Sequence, residues 1–295
     1  MMDTWPLLVL IAQFLNAAVA LIDKFLVTSR IGKPVVYAFY VTALSAFVLL
    51  LLPFVEVGWP SPRLIGFSIL AALFYAGAII FLYRAFRRAP ASEIIPIVGA
   101  FTALGTFGFG TLFLKETMPP HFVLGATLLI IGTLLISHFR IRAGTLGHTI
   151  LAGILFGLSA VAMKATFLEG SFVDGFFWSR IANVCAALVI FLWPGNARVI
   201  RSSVETTSLK TKTMILGNKL LAGCAAVLIL IAISMAHVSL VNALAGTQFI
   251  FLLILAFFFR KKLPEYFLDI RHDREIIHKT GAVIIIAIGM AIIFL

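Results

Sequence analysis

Residues 83–117 read YRAFRRAPASEIIPIVGAFTALGTFGFGTLFLKET. A basic turn opens the stretch, Ala89-Pro90-Ala91-Ser92-Glu93 follows, and an apolar run closes on Lys115-Glu116. A helix needs about 20 mostly apolar residues to cross the hydrocarbon core of a bilayer. The run over 91–114 meets that length. A weaker copy recurs over 232–262, AISMAHVSLVNALAGTQFIFLLILAFFFRKK. An apolar hairpin used twice, with polar residues where each arm begins, predicts a membrane protein built from two repeats.

The rest of the chain agrees with that solvent. Of 295 residues 62% are hydrophobic and 12% charged, and the mean hydropathy is +1.11. A water-soluble domain of this length could not hide so much apolar surface. The net charge of +11 sits in short clusters between apolar runs. That arrangement suits loops against an anionic lipid leaflet and argues against nucleic acid as a partner. Cys185 and Cys224 both lie in apolar runs and offer no disulfide framework and no CxxC motif. Residues 1–6 lack the basic segment of a signal peptide, so no cleaved leader is expected.

Ten runs are long enough to span, at roughly 5–27, 34–55, 63–83, 91–114, 119–138, 147–168, 172–193, 214–235, 238–259 and 276–295. Backbone polar groups in lipid must bond internally, so these runs are helices. Most connections are short. Residues 194–213 read as a flexible linker and 260–279 as a short interfacial helix. The loops after the odd-numbered runs carry 19 of the 23 Lys and Arg, and those after runs 2 and 4 carry Arg63 and Lys115. The positive-inside rule then places the odd loops in the cytoplasm and both termini outside.

Residue echoes point to internal repetition. The segment from Asn16 to Lys24 aligns with that from Phe156 to Lys164, lysine on lysine. Ala89-Pro-Ala-Ser-Glu93 aligns with Ala236-His-Val-Ser-Leu240, serine on serine, and Gly125, Ala126 and Gly132 align with Gly281, Ala282 and Gly289. The expected fold is an all-α integral membrane protein of ten transmembrane helices, arranged as two inverted five-helix repeats over 1–145 and 146–295.

On these residues the chain resembles the drug/metabolite transporter superfamily, specifically its EamA-type ten-helix members. The lysine near the end of the first helix, the Ala-Pro-Ala-Ser start of the fourth, the Leu114-Lys115-Glu116 exit and the glycine-bearing fifth helix carry the resemblance. The second repeat is degenerate: His237 stands where a proline would be, and Lys262-Leu263 where Lys-Glu would be. The resemblance implies secondary transport of small metabolites, with a cavity between helices 1, 3, 4, 6, 8 and 9. It also implies cytoplasmic termini, against the charge bias. The charge rule is the reading adopted, because positive charge acts directly on insertion.

Charges inside spans are costly and are functional candidates. Lys24 and Lys164 lie near the ends of helices 1 and 6, where each faces either a cavity or, by snorkelling, the interface. Arg180 lies deeper. It needs a carboxylate, backbone carbonyls or an anionic ligand, and a purely structural pairing would use Asp174 or Glu169. Glu93 is a candidate proton-coupling carboxylate, although its place in a first helical turn beside Arg87 and Arg88 favours a structural role. Gln13, Asn16, Ala20 and Lys24 form a stripe along helix 1. With Tyr75, Asn183 and Asn242 they complete the candidate substrate contacts. In the last loop Asp269, His272, Asp273, Glu275 and His278 read as a solvated segment rather than a metal cluster, so no metal is expected.

The leading function is a secondary active transporter in the cell membrane, acting on a small molecule without a cofactor. No Walker A motif is present to supply ATP. Lys164 and Arg180, facing a cavity, would favour an anionic or zwitterionic metabolite. The alternative is an integral membrane enzyme acting on lipid head groups through the 260–279 loop, although HExxH, GxSxG and DDxxD are all missing. Oligomeric state is not legible.

Overall fold

The computed structural model describes residues 4–31, 33–117, 119–136, 142–258 and 273–293. Among them there is no strand. The helices are α1 (Trp5–Phe25), α2 (Pro34–Ala43), α3 (Pro62–Phe86), α4 (Ala91–Leu114), α5 (Pro120–Ile136), α6 (Ala143–Leu168), α7 (Phe172–Leu192), α8 (Asn196–Thr206), α9 (Leu209–Met235), α10 (Val238–Ala243), α11 (Thr247–Phe258) and α12 (Asp273–Ile293). Six helical stretches are long and apolar enough to cross a membrane: Trp5–Ile31, Pro62–Phe86, Ala91–Leu114, Ala143–Leu168, Phe172–Leu192 and Leu209–Met235. Four shorter apolar ones, Pro34–Leu50, Pro120–Leu135, Val238–Leu252 and Gly281–Ile292, occupy the other expected runs.

Local chemistry sets the boundaries. Prolines stand in the first turns of α1, α2 and α3, where the missing N–H costs nothing. The hydroxyls of Ser61, Ser171 and Ser208 accept hydrogen bonds from Leu64, Asp174 and Thr211 N–H at the starts of α3, α7 and α9. Lys115, at φ 54°, ends α4 in the left-handed region, and Glu116 N–H returns to the Gly110 carbonyl at 3.2 Å. Large apolar side chains such as Leu7, Leu70, Leu112 and Leu192 are exposed on the outer helix faces. Lipid is the solvent that tolerates such a surface.

Two expectations are corrected. The stretch 194–213 is not a flexible linker, because α8 occupies most of it. Gly195, at φ 83°, turns the chain, Asn196 Nδ2 donates to the Ile190 carbonyl at 3.0 Å, and Ile200 is buried against Val36, Ala72 and Ala186. The eighth span starts at Leu209 rather than at residue 214, which sets Lys219 deeper inside its helix. The interfacial helix expected over 260–279 lies outside the described residues up to 272. From 273 the backbone is the first part of α12.

α3 packs on α6 and α7, α4 on α5 and α6, α1 on α9 and α11, α2 on α7, and α5 on α12. The α4–α6 seam is tight. A Cβ placed on Gly153 would stand 2.8 Å from the Val98 carbonyl oxygen, and one on Gly157 3.0 Å from that of Thr102. Small residues let the two backbones approach this closely. The ninth span is interrupted: a 3₁₀ turn, Leu244–Gly246, separates α10 from α11. Irregular backbone at such depth is tolerated where it lines a cavity.

Candidate substrate cavity

The stripe expected on α1 points inward. Gln13, Asn16 and Ala20 line an internal cavity of about 320 Å³. Its other walls come from α3, α4, α6, α7, α9 and the α10–α11 segment. Most of the lining is apolar, including Ala71, Ile79, Val98, Phe156 and Met163. The polar candidates Tyr75, Arg180, Asn183 and Asn242 are brought together there, with Gln248 added by the interrupted span.

Lys24 and Lys164 are not part of the lining. Lys24 Nζ donates to the Phe86 carbonyl and, at 2.9 Å, to that of Ala89. Lys164 Nζ donates to the carbonyls of Ile233 at 2.8 Å, Ser234 at 3.4 Å and Ala236 at 2.9 Å. Each ammonium therefore covers the C-terminal carbonyls of a neighbouring helix, α3 or α9. Those carbonyls have no intrahelical partner, and a cation there also complements the helix dipole. Lys164→Met is expected to lower stability by ~1–3 kcal/mol, the penalty for buried acceptors left unpaired. Thermal unfolding in detergent measures it, and an unchanged midpoint would refute the capping role.

Asp23 and Lys219, neither of them among the candidate contacts read from the sequence, hold an extended polar network. The Asp23 carboxylate accepts from Tyr37 OH, from Tyr83 OH at 3.0 Å, from Asn218 Nδ2 at 2.6 Å and from Lys219 Nζ at 2.7 Å. Lys219 also lies over the Tyr37 ring, 4.6 Å from its centroid. Lys219 already stood inside the expected eighth run, and the Ser208-Leu-Lys-Thr211 cap, which starts α9 early, was the signal that it lies well past the helix start.

Arg180 lacks the structural partners expected for it. Asp174 is held by Ser171 Oγ at 2.6 Å and by Gly58 N–H at 2.7 Å, and Glu169 lies 3.8 Å from Arg63. The Arg180 guanidinium stands 5.6 Å over the Phe176 ring rather than against Trp178, and its Nε is buried without a hydrogen-bond partner. Trp178 Nε1 donates instead to the Gly58 carbonyl at 3.0 Å. Asn183, one turn beyond Arg180, is 2% exposed and its Oδ1 is also unpartnered.

Glu93 sits half-buried in the first turn of α4 and does not line the cavity. The other carboxylate of this hairpin, Glu116, accepts from Val238 N–H at 2.8 Å and from Ser239 Oγ at 2.8 Å, capping α10. His237 Nδ1 lies 3.6 Å from the same carboxylate. Among the described residues no group of three or more His, Cys, Asp or Glu is placed to hold a metal. The cluster from Asp269 to His278 lies outside the residues whose side chains are described.

Membrane-length helices enclosing an internal cavity define a multi-pass membrane protein. Residues 3–138 match the model of the EamA-like transporter family, of the drug/metabolite transporter superfamily. A solved crystal structure resembles the chain with a TM-score of 0.63, covering 96% of this chain and 98% of its own at 16% identity. That likeness concerns the fold. No curated protein sequence matches.

Proposed function

We propose that the protein is a secondary active transporter that moves a small metabolite across the cell membrane by alternating access. The observation that carries the reading is the cavity itself, which is walled by helices from both halves of the chain. The ties around it also cross between halves: Asp23 with Asn218 and Lys219, Gly58 with Asp174 and Trp178, and Glu116 with Val238 and Ser239. In a ten-span topology the Asp23 and Gly58 ties close opposite ends. Rocking the halves to break one set while keeping the other exposes the cavity to one side at a time.

Two inverted repeats, 1–145 and 146–295, account for the packing. The α3–α6 contact has its counterpart in α1–α9, and α4–α6 in α1–α11, while α2–α7 and α5–α12 pair equivalent helices. The two lysine caps obey the same relation. Phe86 and Ala89 occupy the aligned positions of Ile233 and Ala236. Lys24 and Lys219 are held inside the bundle by their hydrogen bonds, and without them 17 Lys and Arg remain in or beside the odd connections against two in or beside the even ones. The bias still favours both termini outside. The enzyme alternative rests on the 260–279 loop alone, and the family match favours transport.

Purified protein in proteoliposomes loaded with a metabolite panel tests this. Substrate-dependent counterflow of at least one compound is the expected result. No flux in either direction for any compound would overturn it.

A further inference from the structure

We infer that the substrate is an organic monoanion with an apolar body, its charged group seated on Arg180. This rests on the transporter reading for its physiological meaning, but the binding site stands on its own geometry. Among the described residues the charged ones lining the cavity are Asp23, Lys219 and Arg180. The first two neutralise each other across 2.7 Å. The cavity therefore presents one net positive charge, on a guanidinium with a buried unpaired Nε and an aromatic ring beneath it. A guanidinium removed from water and from any carboxylate is a strong site for a carboxylate or sulfonate, which it meets with paired N–H donors. Asn183, a turn away with a buried unpartnered Oδ1, adds a neutral polar handle.

The same inventory excludes other classes. A cation or the ammonium of a zwitterion needs a free anionic acceptor, and the one carboxylate among the described lining residues already accepts from four donors. A dianion would bring one negative charge more than the cavity balances, in an apolar setting where an unpaired charge is costly. Opposite the charge requirement stands an apolar one. Tyr75 and Phe156 meet edge to face, with centroids 5.9 Å apart, and Ala71, Ile79, Val98 and Met163 complete a wall suited to a hydrocarbon or aromatic body.

The test uses the purified full chain and a phenyl series differing only in charge: phenylacetate and phenylmethanesulfonate as monoanions, phenylacetamide as neutral, phenethylamine as cation, phenylalanine as zwitterion and phenyl phosphate as dianion. Ligands that bind the folded state raise its melting temperature. The two monoanions are expected to stabilise the protein more than the other four. Arg180→Gln is expected to weaken monoanion binding roughly 10- to 100-fold. Arg180→Lys keeps the charge and retains the monoanion preference at lower affinity, so a misfolded glutamine variant leaves the inference testable. Equal stabilisation by the amide or amine, full monoanion binding by a folded Arg180→Gln, or no monoanion binding at all overturns the site. Failure of the transporter reading looks different: Arg180-dependent monoanion binding would persist while proteoliposomes carried nothing. Counterflow of a neutral or cationic compound, conversely, would keep the transporter and remove the anion site.

Discussion

Asp23→Ala is expected to unfold roughly 10 °C below the parent protein, from a loss of about 3–5 kcal/mol. The substitution leaves the Lys219 ammonium, whose side chain is 8% exposed, without its counter-ion. It also strips the acceptor from Tyr37, Tyr83 and Asn218 at once. Breaking a buried pair by removing one partner is costly because the other charge stays buried and unpaired. Lys219→Met is expected to have a smaller effect, since the three neutral donors still solvate the carboxylate. The combined Asp23→Leu, Lys219→Met variant removes both charges and is expected to recover part of the loss. Thermal unfolding of the three variants in one detergent decides it. A single-variant shift below about 2 °C would mean that water reaches the pair and does its work. The same variants report on mechanism, because this network is one of the ties that alternating access must break. A folded Lys219→Met that binds substrate but no longer exchanges it would place the tie in the transport cycle.

Gly153→Val is expected to be the most disruptive change to the helix framework. Its new Cβ would stand 2.7 Å from Phe101 Cβ and 2.8 Å from the Val98 carbonyl oxygen, and the second of these is backbone and cannot rotate away. The expected loss is ~1–3 kcal/mol or more from overpacking. Transport should fall with it, because α4 and α6 both wall the cavity through Val98, Thr102, Phe156 and Ser159. Gly217→Ala is the matched control. It lies in α9 with nothing within 4 Å of its Cβ position, and alanine there favours the helix by about 0.5–1 kcal/mol. Expression, melting temperature and flux of the two variants should diverge. Equal behaviour would show that the α4–α6 seam is looser than its geometry.

Much of the cavity was legible one residue at a time. Gln13 and Asn16 share a helix face by their spacing, and Arg180 was costly enough inside a span to demand a role. Lys24 and Lys164 aligned lysine on lysine in the sequence, but their role was not legible. A lysine near a helix end has the same local sequence whether it reaches a cavity, the interface or a carbonyl of another helix. What distinguishes these is the position of the Phe86 and Ile233 carbonyls, which lie on separate helices in the fold. Asp23 was hidden for a related reason. Its partners come from α2, α3 and α9, up to 196 residues away, and its neighbour Lys24 drew the attention its own pairing warranted.

The sequence by itself determined the solvent, the all-helical class and the approximate positions of the six membrane-length helices, because hydrophobic length is a local property that lipid enforces strictly. It also carried the echo between the halves. Only the tertiary structure decided which cations are spoken for. Lys24 and Lys164 are bound to helix ends and Lys219 to Asp23, while Arg180 faces the cavity with neither Asp174 nor Glu169 beside it. The physical reason is range. A charge is settled by what lies within hydrogen-bonding distance, and in this fold those partners come from helices far apart in the chain.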